Sequence, residues 1–170
     1  MKDYDEVAYP FMEEKGMFTD YEILTDGLSS YIGLLWSIAE EKDYNNDLIE
    51  DLQWLTEQVL HMNGSLRGKL AIDEKKVNKL KDMYYYYKAK IDIEGFTLPT
   101  GSYLSSQMNI ARYKAKEVVR LLNKIEQADN EVPKILFRFS NILANLLYSM
   151  SLYVNKIDEI EIKKFESESY

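Results

Sequence analysis

The spacing of apolar residues between about Asn46 and Lys69 restricts the fold more than any other feature of the chain. Apolar side chains in this segment recur at alternating intervals of four and three residues: Leu48, Leu52, Leu55, Val59, Met62 and Leu66. A helix with this spacing buries one narrow seam against neighbours that run nearly parallel to it. The segment therefore predicts one member of a helical bundle.

Four other segments have a helical period. They extend over about residues 20–42, over about residues 73–91, from near Ser102 to the sequence QADNEVP, and from Val132 or Pro133 to about Ile157. Only 7 glycines and 3 prolines interrupt the 170 residues, and no segment alternates for long enough to require a strand. The predicted fold is all-α, an up-and-down bundle of five helices.

One domain is expected, since a chain of this length buries most of the surface that its unfolded form exposes. The bundle is predicted to comprise residues 20–162. Residues 1–19 form an irregular N-terminal arm in this prediction, and residues 163–170 form a tail that frays.

Charge and composition exclude several classes of protein. The net charge of -8 leaves few cations for a face that binds nucleic acid, and it disfavours anionic membranes. No apolar run reaches the roughly 18 to 20 residues that span a bilayer, and the first residues are acidic where a secretory signal is basic. The chain has no cysteine, which suits a reducing compartment, and the cytoplasm is the simplest expectation. His61 is the only histidine, so no metal site is predicted.

Three cations of the fourth helix are spaced four residues apart. Because each helical residue advances by about 100°, Arg112, Lys116 and Arg120 lie within a band about 80° wide. Such a band is commonly a solvated stripe, but the chain has only 4 arginines against 17 lysines. Arginine has a rigid fork that matches a carboxylate or phosphate. An anion site and structural salt bridges are both compatible with this band.

Arg138 and Asp26 also stand out from their surroundings. Arg138 lies within the apolar sequence ILFRFSNILANLL, where a buried guanidinium would need an anionic partner. Asp26 lies where an apolar helix is predicted to begin, and a first-turn carboxylate that favours the helix dipole is an adequate explanation. Ser102 or Thr100 is expected to cap the fourth helix. The four tyrosines at 84–87 indicate core packing or a subunit contact.

Three stretches in the same order resemble the PduO-type ATP:cob(I)alamin adenosyltransferases. TDGLSSYIGLL is similar to the family's V-D-E-L-N-S-x-I-G-L, and FTLPTGSYLSSQMNIARYKAKEVVRLL to its F-x-L-P-G-G-S followed by A-R-x-x-x-R-R-x-E-R. VPKILFRFSNILANLL is similar to its I-P-x-x-L-N-R-L-S-D-x-L-F. The resemblance covers about residues 20–155, and the F-x-L-P stretch before the arginine helix is its most specific part.

The resemblance implies a five-helix bundle, generally a homotrimer, that uses ATP and Mg²⁺ to transfer a 5'-deoxyadenosyl group to the cobalt of reduced cobalamin. It implies that Arg112 pairs with Asp26 across a subunit boundary and that Lys116 contacts nucleotide phosphate. Phe96 matches a phenylalanine beside the corrinoid that helps keep the lower face of the cobalt free of a ligand.

The remaining motif arginines correspond to Arg120 and Arg138. By this resemblance the catalytic residues are Arg112, Lys116 and Arg138, and the ligand-binding residues are Phe96, Asp26 and Arg120.

The chain departs from the family pattern at several positions. The family's N-terminal Y-T-K-T-G-D-x-G-x-T segment, which wraps the ATP phosphates, has no counterpart in MKDYDEVAYPFMEEKGMF. Phe137 replaces the asparagine of N-R-L-S-D, and Val119 replaces the glutamate of R-x-E-R. A non-catalytic relative that binds corrinoid or nucleotide, or an oligomeric assembly module, is therefore the alternative function.

Overall fold

The computed structural model of the protein describes residues 4–8, 12–128 and 130–169. Its elements are a 3-10 helix (Tyr4–Glu6), the helices α1 (Met17–Glu41), α2 (Asn46–Asn63), α3 (Glu74–Lys88), α4 (Tyr103–Gln127) and α5 (Lys134–Ile157), and the two-residue strands β1 (Phe96–Thr97) and β2 (Lys164–Phe165). The prediction of an all-α fold with five helices is confirmed, and the 3-10 helix and the two strands are the elements that the pattern did not predict.

Polar side chains cap the starts of three helices. The side chain of Asn45 accepts a hydrogen bond from the Leu48 backbone N–H at the start of α2, and that of Asp73 accepts one from Lys76 N–H at the start of α3. The Ser102 hydroxyl accepts a bond from Ser105 N–H and caps α4, which was one of the two predicted caps.

Two predicted helix boundaries and one prediction about Asp26 were wrong. The second helix ends at Asn63, short of Lys69, because the Asn63 side chain donates to the Glu22 carbonyl and the Thr25 hydroxyl of α1, and Gly64 follows. The first helix already begins at Met17. Asp26 therefore lies in the interior of α1 and not in its first turn.

The helices pack in the order α2, α1, α4, α5 and α3. The buried core contains every apolar residue of the α4 seam: Leu104, Met108, Ala111, Ala115, Val118, Leu122 and Ile125. Helix α5 lies between α4 and α3, and it is long and apolar enough to cross a membrane by length and composition alone. In the bundle, 61% of its most apolar window is buried, as in the core helix of a globular protein.

Helices α2 and α3 meet mainly through long side chains, and we call this contact the tyrosine seam. The Tyr86 hydroxyl donates to Asp47 over 2.8 Å, and the Tyr87 hydroxyl donates to Asp51 over 2.7 Å. The Lys79 ammonium lies 4.5 Å from the centroid of a Trp54 ring. Tyr87 is fully buried, so core packing explains part of the tyrosine run.

The two strands join the segment before α4 to the C-terminal tail. They are antiparallel, with Phe96 opposite Phe165 and Thr97 opposite Lys164, and the Leu98 N–H donates to the Lys163 carbonyl over 2.9 Å. The tail, expected to fray, pairs here because two extended segments satisfy each other's backbone groups.

Candidate functional site

The loop of residues 96–102, which we call the Phe96 loop, is fastened to α5 at two points. The Thr97 and Tyr148 hydroxyls are 3.0 Å apart and share a hydrogen bond. Asn155, only 1% exposed, accepts a bond from Ser102 N–H and donates one to the Thr100 carbonyl. The loop backbone is thus held against the bundle from both ends.

Gly101 is required for this attachment. Its φ is +148°, and a Cβ added there would lie 1.9 Å from Asn155 Oδ1. A side chain at this position would therefore displace the buried amide as well as strain the backbone. In contrast, the Phe96 side chain is 69% exposed at the other end of the loop and is free to contact a ligand.

Arg112 lies beside the same tyrosine. Its guanidinium carbon is 5.1 Å from the centroid of the Tyr148 ring, within cation–π range. Among the described residues, its buried Nε finds no hydrogen-bond partner, and Ser105 Oγ and Asn109 Oδ1 on the preceding turns of α4 find none either. Buried polar atoms are nearly always paired, so this row has the chemistry to receive a ligand or a neighbouring subunit.

Lys116 and Arg120 continue along α4 beyond Arg112, and both are exposed. Neither forms an ion pair with any carboxylate that the structure describes. Two exposed cations without carboxylate partners can bind an anion without first breaking a salt bridge.

Asp26 is exposed on the outer face of α1 and forms no ion pair with Arg112 within the described part of a single chain. The pairing of these two residues between subunits stays a prediction.

The structure separates Arg138 from this group: the expected anionic partner is present, but the expectation that the guanidinium is buried was wrong. Its side chain is 51% exposed, and its guanidinium makes two hydrogen bonds to the carboxylate of Glu74 in α3. The apolar neighbours in the sequence lie on the other faces of α5, whereas Arg138 shares an exposed face with Lys134 and Asn141. Ten residues of helix, about 15 Å, separate it from Tyr148.

Sequence reasoning missed Tyr148, Asn155 and Arg67. Asn155 had a usable signal, because a polar residue at a core position of an apolar helix must find a partner. Arg67 follows α2 and binds the carboxylates of Glu22 and Glu14, which ties the segment before α1 to the end of α2. Because the second helix was predicted to continue to about Lys69, Arg67 was placed within that helix and not in the segment that follows it.

Known proteins provide an independent comparison for this geometry. The family described as cobalamin adenosyltransferase matches residues 24–154. No curated protein matches the chain.

Three similar solved structures are variants of the PduO-type ATP:corrinoid adenosyltransferase from Lactobacillus reuteri, each with a TM-score of 0.79. A phenylalanine-to-histidine variant with cobalamin and ATP is 16% identical, with 89% of this chain and 85% of that chain covered. A phenylalanine-to-alanine variant with the same ligands is 16% identical, with 90% and 88% covered. An arginine-to-lysine variant with ATP is 17% identical, with 89% of each chain covered.

These structures share the fold, and the match over residues 24–154 extends across α1 to α5 and includes the Phe96 loop and the α4 cations. The chain belongs to the cobalamin adenosyltransferase family of transferases.

Proposed function

We propose that this protein transfers the 5'-deoxyadenosyl group of ATP to the cobalt of a reduced corrinoid. The observation that carries the proposal is the fixed Phe96 loop beside Arg112 and a row of unpaired buried polar atoms on α4. The loop that carries an exposed aromatic ring and the polar, cationic face of α4 thus both contact Tyr148.

The reaction is a substitution at the ribose 5'-carbon. The Co(I) electron pair forms the Co–C bond, the C5'–O bond breaks, and triphosphate leaves with the bonding electrons. No proton has to be removed, so the residues need only orient ATP, stabilise the leaving group and exclude water. Lys116 and Arg120 suit the developing negative charge of triphosphate, because they are exposed and have no carboxylate partner among the described residues.

Phe96 is proposed to cover the lower face of the corrinoid. Its ring is exposed, while the loop that carries it is held by Tyr148 and Asn155. Strand pairing places Phe165, which is 48% exposed, opposite Phe96. Directly paired residues project from the same face of a ribbon, so the two rings together offer an apolar surface to a flat macrocycle.

Mg²⁺ is proposed to enter with ATP. Mg²⁺ is commonly held by substrate phosphates, water and only one or two carboxylates. The described residues contain no cluster of three or more His, Cys, Asp or Glu side chains suited to a metal. The lack of such a cluster among the described residues fits a Mg²⁺ ion carried by the triphosphate better than one held in a cage of protein ligands.

A homotrimer is proposed as the working assembly, with the cytoplasm as its compartment. Two apolar residues of α1, Ile23 and Leu34, are exposed, and so are Ile110 and Tyr113 of α4, the helix that packs beside it. Large apolar side chains exposed on adjacent helices are typical of a protein contact. Asp26 lies on α1 between Ile23 and Leu34, which supports its predicted pairing with Arg112 of a neighbouring subunit.

The direct test is an anaerobic assay with chemically reduced cobalamin, ATP and Mg²⁺, following the absorbance change from Co(I) to the alkylated product. Turnover that is lost in Phe96→Ala and Lys116→Ala, with folding preserved, is the expected result. Absence of turnover in a folded wild-type protein would contradict the proposal.

The alternative is a non-catalytic relative that binds corrinoid or nucleotide. Its support is the lack of the family's phosphate-wrapping motif in residues 1–19 and the replacement of a motif asparagine by Phe137. Corrinoid binding with an unchanged spectrum of Co(I) after addition of MgATP would favour this alternative.

A further inference from the structure

A cleft of about 200 Å³ lies beside the Phe96 loop. It is formed by the end of α3, the segment that follows it, and α5. Its lining includes Tyr84, Lys88, Ile91, Ile93, Gly95 and Tyr148.

The cleft adjoins the proposed corrinoid site. Gly95, with a φ of +88°, turns the chain immediately before Phe96. Tyr148 lines the cleft, shares a hydrogen bond with Thr97 and contacts Arg112 through its ring. A ligand over Phe96 would therefore lie next to the cleft.

The lining combines aromatic, apolar and cationic groups. Tyr84 and Tyr148 provide rings, and Ile91 and Ile93 provide half-buried aliphatic surface. The Lys88 ammonium lies 5.4 Å from the centroid of the Tyr84 ring, and none of the described carboxylates forms an ion pair with it. Planar heteroaromatic rings stack on such side chains, and an unpaired ammonium attracts phosphate.

Cobamides carry a planar heteroaromatic ring and a phosphate in one substituent. Their nucleotide tail leaves the lower side of the corrin ring, contains a phosphodiester and ends in a planar base. This step rests on the proposed function, in which Phe96 occupies the lower face and keeps the base away from cobalt. The detached tail must then lie somewhere close to Phe96.

We infer that the cleft receives the nucleotide tail of the corrinoid, with the base against Tyr84 and Tyr148 and the phosphodiester near Lys88. The cleft would then select complete cobamides over corrinoids that lack the tail. This selection is separate from the positioning of ATP, which involves the cations of α4.

The test compares equilibrium binding of cob(II)alamin and cob(II)inamide, which lacks the nucleotide, to the full chain under anaerobic conditions. We expect the wild type to bind cobalamin about tenfold more tightly, because base stacking and one charge contact are added. Lys88→Gln is expected to weaken cobalamin binding about threefold and to leave cobinamide binding unchanged. Lys88→Arg should retain the wild-type preference.

Two further variants complete the design. Tyr84→Leu keeps apolar packing but removes the ring, and should lower cobalamin affinity about tenfold without changing cobinamide affinity. Lys81→Gln is the matched control, since Lys81 lies on the same helix with its ammonium 5.8 Å from the Tyr85 ring and outside the cleft. Lys88 is exposed, so its replacement tests the inference without disturbing the core.

Equal wild-type affinity for the two corrinoids would overturn the inference and leave the proposed function standing. Loss of affinity for both corrinoids in Lys88→Gln and Tyr84→Leu would also overturn it, because the cleft would then act on the ring and not on the tail. Failure of the wild type to bind either corrinoid would overturn the proposed function as well.

Discussion

Asn155 shows how one buried amide can define a loop. An unpaired amide at a position that is 1% exposed would be costly, and both of its polar atoms are satisfied by the backbone of residues 100 and 102. The same side chain excludes any Cβ at Gly101. Core packing of α5 and the conformation of the Phe96 loop are therefore specified together.

Replacing Asn155 or Gly101 should release the loop by the same route. We expect Asn155→Ala to lower the free energy of unfolding by about 1 to 3 kcal/mol, because two hydrogen bonds are lost. Gly101→Ala should be destabilising in the wild type and less so in Asn155→Ala, where the clash is absent. Urea unfolding of the wild type, the two single variants and the double variant measures this double-mutant cycle. Strict additivity would show that the two residues do not share one attachment.

Arg67 is expected to matter more for stability than the arginines of the cation band. It binds Glu22, whose side chain is only 5% exposed, over 2.8 Å. Arg67→Met would leave a buried carboxylate without its cation and should lower the free energy of unfolding by about 3 kcal/mol. Arg67→Met combined with Glu22→Met should recover most of that loss, as measured by urea unfolding.

The control for this pair is Arg120→Met, because Arg120 is exposed and forms no ion pair within the described residues. A comparable loss of stability in the control, or no recovery in the double variant, would contradict the importance of the buried carboxylate.

At the scale of elements, the helices were predictable because the signal is repeated over many turns. The α4 seam has seven buried apolar residues, so one ambiguous position does not change the period. The pairing of β1 with β2 had no such signal, since each strand has two residues and the partners are distant in sequence. Tertiary contacts, which a local pattern does not contain, also decide where α2 ends.

The site was predictable only in part, because some of its residues are recognisable only from their tertiary contacts. The resemblance identified the Phe96 loop and the cation band, and in the structure Tyr148 contacts both, through the Thr97 hydroxyl of the loop and the Arg112 guanidinium. Arg138 was misjudged because its neighbours in sequence are apolar, although they lie on other faces of the helix. Tyr148 could not be selected among 14 tyrosines without knowing what it faces.

The junction between the α1–α2 turn and the end of α5 should make stability sensitive to alkali. Tyr44 donates to Asp158 over 2.6 Å, and burial, followed by this hydrogen bond, raises the pKa of Tyr44 to about 12. Its folded pKa thus exceeds the unfolded value of about 10. The protonated Tyr44 hydroxyl therefore contributes fully to the free energy of unfolding below pH 10, and this contribution is lost as the pH rises towards 12.

We therefore expect the wild type to lose stability over this pH window and Tyr44→Phe to lose less. Urea midpoints at pH 8, 10 and 11 measure the difference; these pH values are about 2 units below, at and 1 unit above the unfolded pKa. The variant should be less stable than the wild type at pH 8, because Asp158 loses its donor. Burial also raises the pKa of Tyr21 and Tyr87. The Tyr44→Phe variant should therefore still lose some stability at alkaline pH, but less than the wild type. Parallel pH curves for the two proteins would contradict a role for Tyr44.

At the scale of the whole molecule, we propose that two chains complete each site. Arg112 has an unpaired buried Nε within the described residues, and Asp26 is exposed without an ion-pair partner among them. If they meet between subunits of a homotrimer, each site takes Asp26 from one chain and Arg112 from another.

Mixing two inactive variants tests this arrangement. Asp26→Ala and Arg112→Ala should each lack transferase activity, and co-expressed mixed trimers should regain about a quarter of it, because about one interface in four receives both intact residues. The matched control mixes Arg112→Ala with Lys116→Ala; both substitutions lie on α4, so no interface is repaired. Inactive mixtures of proteins that still form trimers would contradict the shared site.

The tyrosine seam also has a spectroscopic consequence. The chain has 2 tryptophans, and Trp54 lies in this seam with the Lys79 ammonium 4.5 Å from a ring centroid. The other, Trp36, belongs to α1. In a Trp36→Phe background, all tryptophan emission would report on the boundary between α2 and α3. Separation of these helices should therefore be visible as a fluorescence change without any attached dye.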